Sequence, residues 1–237
     1  MGKAVCNTSA APLRREPSHR SEMVSQMLFG ESADVLGTAG HFLKVRMDYD
    51  GYEGFVHYTQ LSAITDEEFS SRPTAFFTDL FGYVPSGSGS VMISMGSEIA
   101  SPHPAEVIPA THESIARTAI LFLNTPYLWS GRSVFGIDCS GFMQIVFKLH
   151  GLLLPRDAHK QAAEGTVLDF IEESLPGDLA FFEDEEGNIV HVGMMLEDQR
   201  IIHAYGKVRI DLLDSSGIFN VDLNKHTHRL RFVRRLL

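Results

Sequence analysis

The chain has 237 residues, of which 44% are hydrophobic and 21% charged, with 20 glycines and 10 prolines. This composition is typical of a globular protein and excludes wholesale disorder and fibrous repeats, while the length suits one large domain or two small ones. The formal net charge of −10 leaves the chain as a whole without the basic surface that nucleic-acid binding needs, so we expect no nucleic-acid partner.

The two cysteines, Cys6 and Cys139, are too few for a disulfide framework and favour two reduced thiols over a single bridge. The first twenty residues lack the apolar stretch of a secretory signal, and no run approaches the 18 apolar residues of a membrane span. The sequence therefore predicts a cytoplasmic protein without a membrane partner, although a secreted protein trimmed of its signal would look the same.

Short apolar runs separated by turns fill the N-terminal part of the chain and predict a small β-barrel domain over 1–63. The predicted strands are 24–29, 33–37, 42–47 and 52–57. Residues 64–110 predict a connector with β content, in which two runs flank the loop PSGSG as a β-hairpin and three prolines end the segment.

From Thr111 onward the pattern becomes helical. Thr111 is the expected N-cap of an amphipathic helix, a second helix runs from about 139 to 150 with Gly151 as its C′ residue, and a third spans 158–164, opened by Asp157. Strands then follow at 178–183, 189–196, 200–205, 208–213 and 230–237. Helices followed by strands predict an α+β domain over 111–237.

Cys139 lies in GIDCSGF, at the predicted N-terminus of the second helix, with Asp138 at the N-cap position. The helix dipole favours a thiolate there, so we expect a lowered thiol pKa. A nucleophile needs a base, and His191 and His203 lie on adjacent predicted strands, where one imidazole can take the thiol proton and the other can orient the first. A buried structural cysteine, two core histidines, and a metal site of these three residues are the alternatives.

Arg156 and Asp157 precede the predicted third helix. An acid at a helix start is often only an N-cap. The alternative is a carboxylate directed into a cleft, where it pairs with a substrate ammonium.

The segments YLWSGRSVFGIDCSGFMQIVF, LPRDAHKQ, LPGDLAFF, IVHVGMML and IIHAYG occur in the order found in NlpC-type cysteine peptidases, which the chain resembles over residues 113–205. These papain-like enzymes cut bacterial cell-wall peptides, and residues 11–63 resemble the bacterial SH3-like domain that often precedes them. The resemblance implies a papain-like catalytic domain, with helices packed on an antiparallel sheet, preceded by a small SH3-like β-barrel.

The resemblance also implies residue roles. Cys139 is the nucleophile, His191 the general base and His203 the third residue of the triad, and no cofactor or metal is implied. Tyr127 matches a tyrosine near the oxyanion site, where the backbone N–H of Cys139 is the other expected donor.

The resemblance is closer to the subgroup that carries the SH3-like domain, the γ-D-glutamyl-L-diamino acid endopeptidases. These enzymes act on peptides with a free N-terminal L-alanine, whose ammonium would be bound by Asp157 and closed in by Glu22 and Tyr52, with Tyr58 as the alternative tyrosine. Asp138 and Ser140 would contact substrate beside the nucleophile.

Two positions depart from the family pattern. Ala158 occupies a substrate-binding position at which the subgroup often has serine, so one side-chain hydrogen bond is missing. Ser130 follows the tryptophan of the YLW motif, where the family tends to have glycine.

These features predict a monomeric cysteine peptidase of cell-wall peptide recycling that hydrolyses the γ-D-glutamyl-diamino acid bond in small peptides. A substrate without the ammonium would leave a buried carboxylate unpaired, which costs about 1–3 kcal/mol. The alternatives are a secreted hydrolase of intact stem peptides, a non-catalytic wall-peptide binding module, and an acyl transferase acting on another γ-glutamyl compound.

Overall fold

The structure, a computed structural model, describes residues 2–72, 74–87, 89–101 and 107–237. The chain forms two compact units, an N-terminal unit of Met1–Val107 with Leu128–Gly136 and a C-terminal unit of Ile108–Tyr127 with Ile137–Leu237. The predicted boundaries at 63 and 110 stay a prediction. The bounds of the two units differ from these predicted boundaries, because the predicted connector and the segment 128–136 group with the first unit. The proline-rich part of that connector, 102–106, lies outside the described residues.

The N-terminal unit is built on a seven-stranded antiparallel sheet of the β-barrel type. Its strands are β1 Lys3–Cys6, β2 Ala10–Arg14, β3 Met23–Leu28, β4 Ser32–Ala39, β5 Phe42–Met47, β6 Glu53–His57 and β7 Leu61–Ile64. Their spatial order is β3-β2-β6-β5-β4-β1-β7, and their inward residues form one core that includes Cys6, Leu13 and Val45. The four predicted strands are present, with small shifts at their ends.

A second part of this unit follows the sheet. It comprises α1 Asp66–Ser71, β8 Thr74–Phe76, β9 Phe81–Ser86, β10 Gly89–Ser94 and β11 Glu98–Ala100. The predicted hairpin is confirmed, since β9 and β10 pair in antiparallel register. Helix α1 was not predicted, although Thr65 and Glu68 form a complete capping box at its start.

The segment Leu128–Gly136 belongs to the N-terminal unit because Arg132, in the two-residue strand β12 Arg132–Ser133, is fully buried there. Its guanidinium forms a bidentate ion pair with Glu31, at 2.9 and 3.1 Å, and donates to the backbone carbonyl of Gln26 at 2.7 Å. A buried arginine is tolerated only when its charge is paired, so this ion pair fixes the segment.

The C-terminal unit packs three helices on an antiparallel sheet. The helices are α2 His112–Ile120, α3 Cys139–Leu149 and α4 Ala158–Gln161. The short strand β13 Gly136–Ile137 begins in the other unit. The remaining strands are β14 Thr166–Val167, β15 Leu179–Glu183, β16 Ile189–Met195, β17 Arg200–Tyr205, β18 Lys207–Asp214, β19 Gly217–Asn220 and β20 Lys225–Arg235. The strand order is β14-β20-β15-β16-β17-β18-β19, and β20 also pairs with β19, which closes six of the strands into a ring. The predicted α+β class, with a small β-barrel before it, is confirmed.

Helix α3 is the central helix of this unit. All eleven of its residues are buried, and it packs against β16 and β17. Gly151, two residues after its end, has a φ of 73° and supplies the left-handed conformation that stops the helix. In the part of the chain that the structure describes, no helix is both long enough and apolar enough to cross a membrane.

Candidate active site

Cys139 is the first residue of α3, as predicted, and its side chain is almost completely buried. Asp138 is the N-cap, and its Oδ1 accepts a hydrogen bond from the backbone N–H of Gly141 at 2.7 Å. The cap satisfies one of the free N–H groups of the first turn. The sulfur is therefore held at the positive end of a buried helix.

A buried arginine ties together the residues on either side of Cys139. Arg156 donates to both carboxylate oxygens of Asp138, at 2.6 and 3.0 Å, and to the hydroxyl of Ser140 at 2.9 Å. Gln161 of α4 donates to the backbone carbonyl of Ser140. The two predicted substrate contacts, Asp138 and Ser140, thus lie together beside the thiol, in a network whose centre the sequence analysis did not identify.

The predicted lowering of the Cys139 pKa is wrong. Burial raises the pKa of the thiol to about 12, and the negative charge of Asp138 adds to this effect. Backbone N–H groups of Val192 and Ser140 and the guanidinium of Arg156 oppose it without prevailing. The thiol is therefore protonated at neutral pH and needs a base to become a nucleophile.

The two predicted histidines lie on neighbouring strands and contact each other. His191 is on β16 and His203 on β17, and 2.9 Å separates Nε2 of His191 from Nδ1 of His203. The rings meet edge to face, and both are buried. Because Val192, which hydrogen-bonds to the Cys139 sulfur, directly follows His191, the thiol and this imidazole are held at the same place on the sheet.

Gly193 allows the two imidazoles to meet. It pairs directly with His203, and a Cβ at this position would lie 2.9 Å from the Cβ of His203 and 2.7 Å from Cδ1 of Ile201. Such contacts would force the strands apart. This residue was not predicted, although a glycine inside an apolar strand indicates that another group approaches the backbone closely.

The hydrogen-bonded chain continues past His203 to a residue that the sequence analysis also missed. Oδ2 of Asp211, on β18, lies 3.0 Å from Nε2 of His203. The same carboxylate is bound by Arg209, through Nε at 2.6 Å and Nη2 at 2.9 Å, and by the backbone N–H of Val221 at 3.0 Å. An acid within the apolar run VRIDLL was the available signal.

A third imidazole covers the pair. His228 of β20 stacks on His191 with ring centroids 4.3 Å apart. Burial lowers the pKa of His191 well below its usual value, and the neighbouring His203 and His228 lower it further. Burial also lowers the pKa of His203, although the hydrogen bond to Asp211 opposes this shift. Burial also lowers the pKa of His228 to about 4. All three rings are neutral at pH 7.

Tyr127 is positioned next to the start of α3 by its backbone. Its N–H donates to the carbonyl of Gly206 at 3.0 Å, and it forms a parallel bridge with Ile137, two residues before Cys139. Burial raises the pKa of the phenol to about 12, and charge at Cys139 and Asp138 acts in the same direction. The hydroxyl thus stays protonated and remains a hydrogen-bond donor.

Asp157 occupies the N-cap position of α4, but its side chain makes no capping hydrogen bond. Its Oδ2 instead lies 2.9 Å from the ammonium of Lys160. Ala158 is the first residue of the helix, as expected from the sequence. Asp157 is thus the N-cap by position, while its carboxylate pairs with the lysine one turn into the helix, and its role in binding substrate stays a prediction.

Glu22 and Tyr52 lie in the N-terminal unit. The carboxylate of Glu22 accepts a hydrogen bond from Nε1 of Trp129 at 3.1 Å and pairs with Arg15 at 2.9 Å. Tyr52 is half-buried and packs against the core of the sheet. Their roles in binding substrate stay predictions.

The metal alternative gains no support from geometry. Among residues 2–72, 74–87, 89–101 and 107–237, no group of three or more histidines, cysteines and acids is arranged to hold a metal ion. The facing nitrogens of His191 and His203 are occupied by each other.

Comparison with known proteins finds two family models that match parts of the chain. Residues 124–226 match the model of the NlpC/P60 family, and residues 13–61 match that of a bacterial dipeptidyl-peptidase SH3 domain. A gamma-D-glutamyl-L-lysine dipeptidyl-peptidase of Bacillus subtilis is 31% identical over 76% of this chain and 71% of its own length. Dipeptidyl-peptidase 6 of Lysinibacillus sphaericus is 25% identical over 89% of this chain and 92% of its own.

The fold has a close counterpart among solved structures. A crystal structure of an NlpC/P60 family protein from Bacillus cereus superposes with a TM-score of 0.84, over 99% of both chains, at 23% identity. With the sequence matches, this defines a cysteine peptidase with an SH3-like domain. The chain belongs to the NlpC/P60 family.

Proposed function

We propose that this peptidase hydrolyses the bond between the γ-carboxyl of D-glutamate and a diamino acid in peptidoglycan-derived peptides with a free N-terminal L-alanine. The product is the dipeptide L-Ala-D-Glu. The observation that carries the proposal is the thiol of Cys139 at a helix start, hydrogen-bonded to the backbone of Val192, which directly follows His191 of the hydrogen-bonded histidine pair. The name of the Bacillus subtilis relative supports the substrate class.

In the acylation step, Nδ1 of His191 takes the thiol proton of Cys139, and the sulfur attacks the γ-carbonyl carbon of D-glutamate. The raised pKa of the thiol makes this a general-base step rather than attack by a preformed thiolate. The tetrahedral intermediate collapses when His191 gives its proton to the leaving amine of the diamino acid. A thioester between Cys139 and the dipeptide remains.

In the deacylation step, His191 takes a proton from water, and the oxygen attacks the thioester. The thiol leaves with that proton, and the dipeptide is released. The backbone N–H of Cys139 and the hydroxyl of Tyr127, which stays protonated because of its raised pKa, are the donors proposed for the oxyanion of both intermediates.

Asp157 supplies the selectivity for a free N-terminus. Its carboxylate is half-buried and already binds one primary ammonium, that of Lys160, at 2.9 Å. The L-alanine ammonium of the substrate has the same chemistry, and acylation of that amine removes its charge. An enzyme of this kind acts on released peptides and not on intact wall, so we also propose that it works in the cytoplasm.

The test is a substrate panel analysed by mass spectrometry. We expect wild type to release L-Ala-D-Glu from L-Ala-γ-D-Glu-L-Lys or its meso-diaminopimelate analogue, to cut the N-acetylated tripeptide about 10- to 100-fold more slowly, and to leave intact muropeptides uncut. The Cys139→Ser variant should be inactive, whereas Cys6→Ala, which changes the other buried cysteine, should retain activity. Cleavage of intact muropeptides without cleavage of the free tripeptide would overturn the proposal.

A further inference from the structure

The hydrogen bonds beyond His203 assign a task to Asp211. We propose that Asp211 is a positioning residue that sets the tautomers of both His203 and His191, so that Nδ1 of His191 is left without a proton and can serve as the base. The inference rests on the proposed function, since it concerns the base of that reaction. It extends the catalytic group by one residue, which touches neither thiol nor substrate.

The carboxyl of Asp211 is ionised. Burial opposes ionisation, but hydrogen bonds from His203, Arg209 and the N–H of Val221 hold the pKa of this carboxyl well below its usual range. An ionised carboxylate only accepts hydrogen bonds. At 3.0 Å from Oδ2, Nε2 of His203 must therefore carry a proton and donate it to the bond.

The tautomer of His203 determines the tautomer of His191. A neutral His203 with its proton on Nε2 has a lone pair on Nδ1. Nε2 of His191 lies 2.9 Å from Nδ1 of His203, so it must carry a proton and donate it to that nitrogen. Because the neutral His191 has only one proton, its Nδ1 is left as a free base.

The opposite tautomer would disable the site. With its proton on Nδ1, His203 would donate to Nε2 of His191, and the single proton of His191 would move to Nδ1. That nitrogen could then accept nothing from the thiol of Cys139. Both arrangements have a hydrogen bond between the same two nitrogens, with donor and acceptor exchanged, and the residue at position 211 decides between them.

The other groups around the pair do not make this choice. Apart from Cys139 and Asp211, the titratable and charged groups found against the two rings among the described residues are His228 of β20, Tyr205 of β17 and Arg209 of β18. The first two contact the rings through their faces and edges, and the positive charge of Arg209 disfavours protonation of His203 without selecting a nitrogen. Asp211 is the group bonded to Nε2 of His203.

The protonation of Asp211 does not change during catalysis. When Cys139 attacks, its proton goes to Nδ1 of His191, and the resulting imidazolium still donates from Nε2 to His203. His203 stays neutral and still donates to Asp211. The carboxylate thus orients the chain of rings and does not receive a proton.

The Asp211→Asn variant tests the proposal because one orientation of its amide opposes fewer fixed donors. The position of Oδ1 faces two fixed donors, Nη2 of Arg209 at 2.9 Å and the N–H of Val221 at 3.0 Å, whereas that of Oδ2 faces one, Nε of Arg209 at 2.6 Å, so the amide oxygen belongs at Oδ1. The amide nitrogen then points at Nε2 of His203 and donates to it. This reverses both tautomers.

We expect Asp211→Asn to lower kcat by about 10²- to 10⁴-fold, the scale of loss when a catalytic imidazole is held in the wrong tautomer, with little change in KM. The matched control is Asp222→Asn. Asp222 pairs with the same arginine at 3.0 Å, through Nη1, and is largely exposed. This control should keep wild-type kcat.

The second readout is ¹⁵N NMR of histidine-labelled protein without substrate. Wild type should show the proton on Nε2 of both His191 and His203, and Asp211→Asn should show it on Nδ1. A wild-type His203 with its proton on Nδ1, or an Asp211→Asn variant with unchanged tautomers and kcat, would overturn the inference. The wild-type spectrum decides even if the variant does not fold.

Failure of the proposed function has a different signature. If the wild-type tautomers are as expected but the free tripeptide is not cleaved, the substrate proposal fails, and the assignment of Asp211 stands. In that case the rate of Cys139 alkylation by iodoacetamide at pH 7 replaces kcat as the measure of base strength, and it should fall in Asp211→Asn and not in Asp222→Asn.

Discussion

At the scale of single residues, Asp157 shows how a carboxylate can be read from its neighbours. A helix of four residues follows it, yet the side chain does not cap that helix and pairs with Lys160 instead. A carboxylate that caps would be committed to backbone N–H groups. One that binds an exposed lysine can exchange that ammonium for another.

The Asp157→Asn variant should therefore lose selectivity for the free N-terminus. We expect kcat/KM for the free tripeptide to fall about 10- to 100-fold, since a hydrogen bond to a charged group is worth roughly 1.5–3 kcal/mol. Activity on the N-acetylated tripeptide should not fall. Asp198→Asn, at an exposed acid paired with Arg200, is the control. An equal loss on both peptides would contradict this role.

The sequence correctly predicted where four of these side chains lie. Cys139 starts α3 with Asp138 as its cap, and His191 and His203 lie on neighbouring strands, because helix starts and strand alternation are local signals. Asp211 and His228 were missed because their place at the site depends on which strands pair with β17 and β15, and that pairing is set by packing over the whole unit.

At the scale of elements, the turn before the nucleophile places a non-glycine residue in the left-handed region. Ser130 has a φ of 62°, a conformation that glycine adopts without cost, and it is buried. The serine at this position therefore strains the turn. A non-glycine residue in this region costs about 1–2 kcal/mol.

Comparing Ser130→Gly with Ser130→Ala should reveal that strain. Both variants lose the hydroxyl, so their difference reports the backbone alone. We expect the glycine variant to have a free energy of unfolding about 1 kcal/mol higher than the alanine variant, measured by urea denaturation. Equal stabilities, or a more stable alanine variant, would show that the turn is not strained.

The elements predicted from the sequence share a clear local signal. Helices α2 and α3 have caps and apolar periodicity, and the strands around His191 and His203 are apolar and of ordinary length. Strands β1 and β7 were missed because they are short and form by pairing with other strands, which one segment does not encode. Helix α1 has no buried residue and was missed although its capping box is a local signal.

At the scale of the whole molecule, three neutral imidazoles make the C-terminal unit sensitive to acid. His191, His203 and His228 have pKa values lowered in the folded protein relative to about 6.5 in the unfolded chain. The unfolded chain therefore binds more protons below pH 6.5. The stability that these groups contribute is present above that pH and is lost as the pH falls through their folded values.

We accordingly expect the free energy of unfolding to fall between pH 7 and pH 5, measured by urea denaturation with circular dichroism. The His228→Phe variant keeps an aromatic ring against His191 but cannot bind the proton, so its stability should fall less over the same interval. The depressed pKa of Asp211 acts in a more acidic range, below its unfolded value near 3.9. A pH dependence identical to wild type would contradict this origin of the effect.

The pairing of β16, β17 and β18 has a consequence for how the enzyme can fail. His203 stands opposite Gly193, two residues from His191, and Asp211 stands opposite Ile201, two residues from His203, so each hydrogen bond steps diagonally to the next strand. A slip of one residue between any two of these strands would turn one member to the other face of the sheet. Such a misfolded chain would keep its thiol and its sheet but have no base. Catalytic activity therefore requires the correct register of all three strands.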